Sequence, residues 1–129
     1  MASLDMLGPF ALTDNEVSKR VPENVMGNYA FLQKKWLTDE YFVRYVGRSD
    51  SDLKREIKQQ MKTDRAAGCT HFMFSIASTK KEAFEKECHN YHDFGGSDSL
   101  HNEYHPDKPD YTAYKCPVEG CEYHTTNIR

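Results

Sequence analysis

Apolar positions change period several times along the chain. Gly27-Asn28-Tyr29-Ala30-Phe31-Leu32 opens at a glycine and reads as a strand. Tyr41-Phe42-Val43-Arg44-Tyr45-Val46 is β-branched and aromatic, the clearest strand of the chain, and Gly47 ends it. The polar stretch between them is short enough to make a hairpin, with Trp36 expected to pack. Leu53, Ile57 and Met61 then recur every four residues. That spacing predicts a helix over about Asp52–Thr63, capped from Ser49-Asp50-Ser51-Asp52. His71–Ala77 reads as a third strand, buried on at least one face. Ser78 or Thr79 caps a second long helix, Lys80–Phe94, which Gly95-Gly96 stops.

The flanks are less regular. Residues 1–12 read as a loose lead-in. Thr13-Asp14-Asn15-Glu16 fits a capping box, with a short helix running to about Val21 and ending before Pro22. From Ser97 the chain is rich in turn residues (Pro106, Pro109, Pro117, Gly120) and shows no periodic element. About thirty structureless residues are unusual in a compact domain, so something should tie them down. The expected architecture is α+β: a small, mainly antiparallel three-stranded sheet flanked by helices. Residues 1–26 form a lead-in with a short helix, 27–102 the principal domain, and 103–129 a tail packed on it.

Composition narrows the class. The 129 residues suit one domain with its own core, and 38% apolar with 12% aromatic content is too much for a disordered tail. No apolar run has the ~18 residues of a membrane span. No basic stretch followed by an apolar core opens the chain, so an intracellular, reducing, cytoplasmic setting is expected. The net charge of −3 hides a segregation. Residues 41–65 hold seven bases and four acids, and residues 82–129 ten acids and four bases. One part of the chain can face phosphate while another carries acid.

Four cysteines stand at 69, 88, 116 and 121. In a reducing setting they are thiols or metal ligands. Cys116-Pro117-Val118-Glu119-Gly120-Cys121 is a Cys-x4-Cys turn of the kind that suits tetrahedral zinc. Cys88 and His92 stand four apart on one helix face and would complete a Cys3His site stapling the tail. His101 and His105, also four apart, are the alternative pair, and His124 a third source. Cys69 reads as a core thiol, and His71 and His89 as structural histidines.

Gly27-Asn28-Tyr29 opens the first strand and Tyr45-Val46-Gly47 closes the second, in the order strand, strand, helix, strand, helix. Arg55 follows Tyr45 by ten residues, Glu87 ends Glu82-Ala83-Phe84-Glu85-Lys86-Glu87, and Asn102 lies in Leu100-His101-Asn102. Over about residues 27–102 this pattern resembles the GIY-YIG nuclease superfamily. Asn28 departs from it, since the family usually carries an apolar residue there. The resemblance implies a DNA endonuclease with a one-metal mechanism using Mg²⁺ or Mn²⁺ on Glu87. Arg55 would stabilise the transition-state charge, Tyr29 would help take a proton from water, Tyr45 would orient water or phosphate, and Asn102 would brace the site. Arg48, Lys54 and Lys58 would contact nucleic acid, branched or damaged DNA being the expected substrate. With no separate DNA-binding domain, a homodimer or a partner protein would supply specificity.

Two other readings fit the same residues. One is a binding module of this fold that has lost catalysis. The other is a zinc-stabilised protein-interaction domain in which the tyrosines only pack.

Overall fold

A computed structural model describes residues 3–124. Four strands form one antiparallel sheet: β1 (Leu7–Ala11), β2 (Gly27–Lys34), β3 (Tyr41–Ser49) and β4 (His71–Ile76), in the order β1-β4-β2-β3. The sheet thus has one strand more than the sequence pattern predicts. Leu-Gly-Pro-Phe-Ala is too short and too broken by Gly8-Pro9 to announce itself. Pairing makes it a strand, with Leu7 opposite Phe74 and Phe10 opposite Phe72, across a break in register. A proline is tolerated there because β1 is an edge strand.

The helices are α1 (Asp14–Arg20), α2 (Leu53–Gln60) and α3 (Lys80–Asp93). Each starts at a capping side chain. Thr13, Asp52 and Thr79 accept the backbone N–H three residues on, relieving an otherwise unpaired donor. The reciprocal half of the predicted capping box is absent, because the Glu16 carboxylate turns to Arg20 at 3.3 Å.

β2 is central, and its alternation builds two cores. Tyr29 and Phe31 point with Tyr45, Phe72 and Phe74 to the face covered by α1 (Val17) and α2 (Leu53, Ile57). Ala30, Leu32 and Val46 point to the other face, under Tyr91 of α3 and Leu100. Tyr29, Phe31 and Phe72 are wholly buried, each worth about 2–3 kcal/mol of apolar burial. Trp36 does not pack: it is 85% exposed, because the hairpin tip runs out past both helix layers.

β3 is the second edge strand, and an open edge invites foreign strands. The chain after α3 closes it. His101 N–H donates to the Arg44 carbonyl, and Asn102 bonds both polar groups of Val46. After a short 3-10 turn at Gly96–Asp98, the described tail carries no further helix or strand, as the sequence predicts.

Candidate active site and His/Cys cluster

The two glycines of the tripeptides have different jobs. A Cβ on Gly27 would lie 2.2 Å from the Ser75 carbonyl oxygen, so this position must be glycine for β2 to approach β4. A Cβ on Gly47 would lie 2.5 Å from Tyr29 Cζ and 2.6 Å from its hydroxyl. Gly47 faces Tyr29 across the β2–β3 ladder, and the phenol ring lies over its bare backbone. The Tyr29 hydroxyl end is thereby brought to the edge strand.

There it donates to Glu56 Oε2 at 3.0 Å. Tyr45 lies beside it, ring centroids 6.0 Å apart. The single Tyr29 proton is given to Glu56, so towards any further partner the Tyr29 oxygen can only accept. Burial raises both phenol pKa values, that of Tyr29 well above its ordinary value. The Glu56 and Glu87 carboxylates add to both shifts, while Arg65 opposes the shift at Tyr45, its guanidinium 5.7 Å from that ring.

Glu87 comes from α3, on the opposite face of the sheet. It is 8% exposed, and burial pushes its carboxyl up to about 7. Arg48 pulls the other way, its Nη1 2.6 Å from Glu87 Oε1. The rest of the Arg48 fork is taken by Asp50, with Nε at 3.0 Å and Nη2 at 3.4 Å. The guanidinium also sits 5.3 Å from the Phe84 ring centroid. Glu87 and Tyr45 open onto a cleft of about 480 Å³, with Arg65, Asn102, Tyr104 and Asp107 on its walls.

The structure therefore brings Tyr29, Tyr45, Glu87 and Arg48 together and sets Asn102 at the cleft margin. Asn102 is buried, its amide accepting from Val46 N–H at 3.0 Å and donating to Val46 O at 2.8 Å. Arg55 is not in the cleft. It is exposed on the outer side of α2, in a shallow depression shared with Lys54, Lys58 and Lys62. Helix geometry explains the displacement. Leu53 and Ile57 define the inner face of α2, so Glu56, three residues after Leu53, points inward and Arg55 outward. That arithmetic could have found Glu56 in the sequence. Asp50 and Arg65 carried no such signal. Lys54 and Lys58 bind α2 to the α1 region: Lys54 Nζ donates to Ser18 O at 3.0 Å, and Lys58 lies 3.7 Å from Asp14.

Asn28, the departure from the family pattern, is 1% exposed and donates to the Ala83 carbonyl at 2.8 Å, tying β2 to α3. It holds in place the helix that carries Glu87.

A second constellation lies beyond the cleft. One ligand atom from each of His92, His105, Cys116 and Cys121 lies within 4.8 Å of the others, a His2Cys2 set of the kind that can hold a metal such as zinc. His105 takes the place that the helical spacing offered to Cys88. Cys88 is wholly buried beneath the cluster, packed with Phe84 and Cys116. His101 is exposed and meets the Ala67 carbonyl, and His124 meets the Cys116 carbonyl. Cys69 sits at the core's rim, half-buried, with its thiol pushed up to about 11 by burial. His71 packs edge-on against Tyr41, and His89 is exposed.

Among the described residues no helix is long and apolar enough to cross a membrane. No family model, no curated protein and no solved structure matches the chain.

Proposed function

We propose that this chain is a divalent-metal-dependent endonuclease of the GIY-YIG type, hydrolysing DNA phosphodiester bonds. One observation carries the reading: two tyrosines from adjacent strands and a buried glutamate from the opposite helix layer converge across Gly47 at the mouth of a cleft.

The donor set fits a hard cation. Glu87 and Asp50 place two carboxylates around one guanidinium, and the charges of Asp50 and Glu56 help to raise the Glu87 pKa. Such an excess of carboxylate oxygen suits Mg²⁺ or Mn²⁺, with Glu87 as the holding ligand. The metal would supply Lewis acidity and a more acidic water. Arg48 turns its planar fork from Glu87 to the phosphate and neutralises charge there. Tyr45, at the cleft surface, orients the attacking water. Tyr29 is too buried to ionise and instead relays: Tyr45 takes the water proton and passes its own to Tyr29, which passes its own to Glu56. Glu56 ends as a carboxylic acid, and solvent protonates the leaving oxygen. Asn102 holds the cleft wall to β3.

A second reading has its own observation. Glu56, not an arginine, meets Tyr29 from α2, which favours a module that binds nucleic acid without cutting it.

The test is nicking of supercoiled plasmid and cleavage of branched DNA with Mg²⁺ or Mn²⁺, comparing wild type, Glu87→Gln and Tyr29→Phe. Metal-dependent cutting lost in Glu87→Gln supports the nuclease. Salt-sensitive DNA binding without cutting supports the inactive module. Neither cutting nor binding leaves a zinc-stabilised interaction domain.

A further inference from the structure

We propose that His92, His105, Cys116 and Cys121 hold one tetrahedral zinc ion, and that this ion builds the outer wall of the Glu87 cleft. The argument starts from His105. Its Nδ1 lies 2.9 Å from the Pro106 carbonyl oxygen, which can only accept, so Nδ1 carries the proton and Nε2 presents its lone pair. That bare Nε2 faces His92 Nε2 at 3.2 Å and Cys121 Sγ at 3.4 Å. A metal ion gives these converging electron-pair donors a common partner. The spacing agrees: with Zn–N near 2.0–2.1 Å, two nitrogens on a tetrahedral ion stand about 3.3 Å apart.

The surroundings support the ligands as an outer shell does in zinc sites. The Pro106 carbonyl fixes the His105 tautomer. Tyr123 N–H points at Cys121 Sγ at 3.4 Å, and Cys116 N–H bonds the Tyr123 carbonyl at 3.0 Å. Cys88 packs against Cys116 from beneath, wholly buried, and stands outside the ligand set. Gly120, at φ +87°, lets the turn bring Cys121 back to Cys116.

The consequence for the cleft follows from where the ligands sit. Residues 102–107 line the cleft, and Asn102 pins their start to Val46. The other anchor is His105, whose ring packs against Tyr91 of α3 and Tyr123 of the tail, and which a bound ion would join to His92 and the two cysteines. Zinc therefore holds this wall opposite Glu87. That the wall bounds a substrate site rests on the nuclease reading; the zinc site itself does not.

The full-length chain is purified and measured by native mass spectrometry, then stripped and titrated with Zn²⁺ and with Co²⁺ as a spectroscopic probe. The expected result is one ion per chain, with tetrahedral cobalt bands and thiolate-to-cobalt charge transfer. His105→Ala and Cys121→Ser should bind at least about tenfold more weakly. Cys88→Ala should still bind one ion with undiminished charge transfer. Backbone hydrogen exchange over residues 102–107 should speed up by about tenfold on stripping. No ion on wild type, or charge transfer halved in Cys88→Ala, overturns the ligand set. Exchange unchanged on stripping overturns the role in the wall. Bound zinc with a protected wall and no DNA cleavage removes the nuclease reading and leaves the zinc site standing.

Discussion

The Tyr29 hydroxyl donates to Glu56 Oε2 across 3.0 Å, beneath a strand position that only glycine can occupy. The bond fixes where the Tyr29 proton can go. Tyr29→Phe should lower cleavage by about 10²-fold or more, as expected for a lost proton relay. It should cost no more than about 1.5 kcal/mol of stability, since one hydroxyl is removed and the ring stays. Plasmid nicking rates beside urea unfolding separate the two effects.

Gly47→Ala should be far more damaging to the fold. The added methyl would meet the Tyr29 ring at 2.5 Å, and neither the ladder nor the core leaves that ring room to move. A loss of about 3 kcal/mol is expected, at the upper end of overpacking costs. The urea midpoint reads it directly.

Glu87 should write itself into the pH dependence of stability. Its carboxyl stands at about 7 in the folded chain, against an ordinary value of 4.5. A pKa raised on folding contributes stability that is full below the unfolded value and is lost as pH rises through the folded one. Stability should therefore drain by on the order of 3 kcal/mol between about pH 4.5 and 7. Glu87→Gln should flatten that segment of the urea-midpoint curve. Cleavage should rise with pH through the same window, and its midpoint should move lower as Mg²⁺ is added, because proton and metal compete for one carboxylate.

Arg48 and Arg55 should behave oppositely. Arg48→Ala strands Glu87 and Asp50 without their guanidinium, whose side chain is 12% exposed. About 3 kcal/mol of stability and at least about 10²-fold of cleavage should go. Arg55→Ala, on the outer side of α2, should change stability by less than about 0.5 kcal/mol and leave cleavage within threefold. Equal losses in both variants would mean that Arg55 swings into the cleft when substrate binds.

Asn102→Ala removes two hydrogen bonds to Val46 and leaves a buried N–H and carbonyl on the edge strand unpaired. It should cost about 2 kcal/mol. Because the cleft wall starts there, KM for DNA should rise more than kcat falls.

Local pattern and chemistry determined much of this protein. The β2–β3 hairpin, the helices capped at Thr13, Asp52 and Thr79, and the third strand of the sequence reading follow from periodicity and caps, which act over a few residues. Tyr29, Tyr45 and Glu87 are grouped in the sequence only by the resemblance to the GIY-YIG pattern, not by periodicity or spacing alone. Tertiary structure decided the rest, for reasons of distance. β1 exists only because β4 offers an edge. Trp36 is exposed because the hairpin outruns the core. Helix phase around Leu53 and Ile57 turned Arg55 out and Glu56 in, giving the α2 contact with Tyr29 to a carboxylate. His105 displaced Cys88 from the cluster because an irregular tail, anchored by Asn102 on Val46, delivers its imidazole there. Cys88 and His92 share a helix face, but sharing a face does not settle which side chain stands beneath a cluster and which enters it.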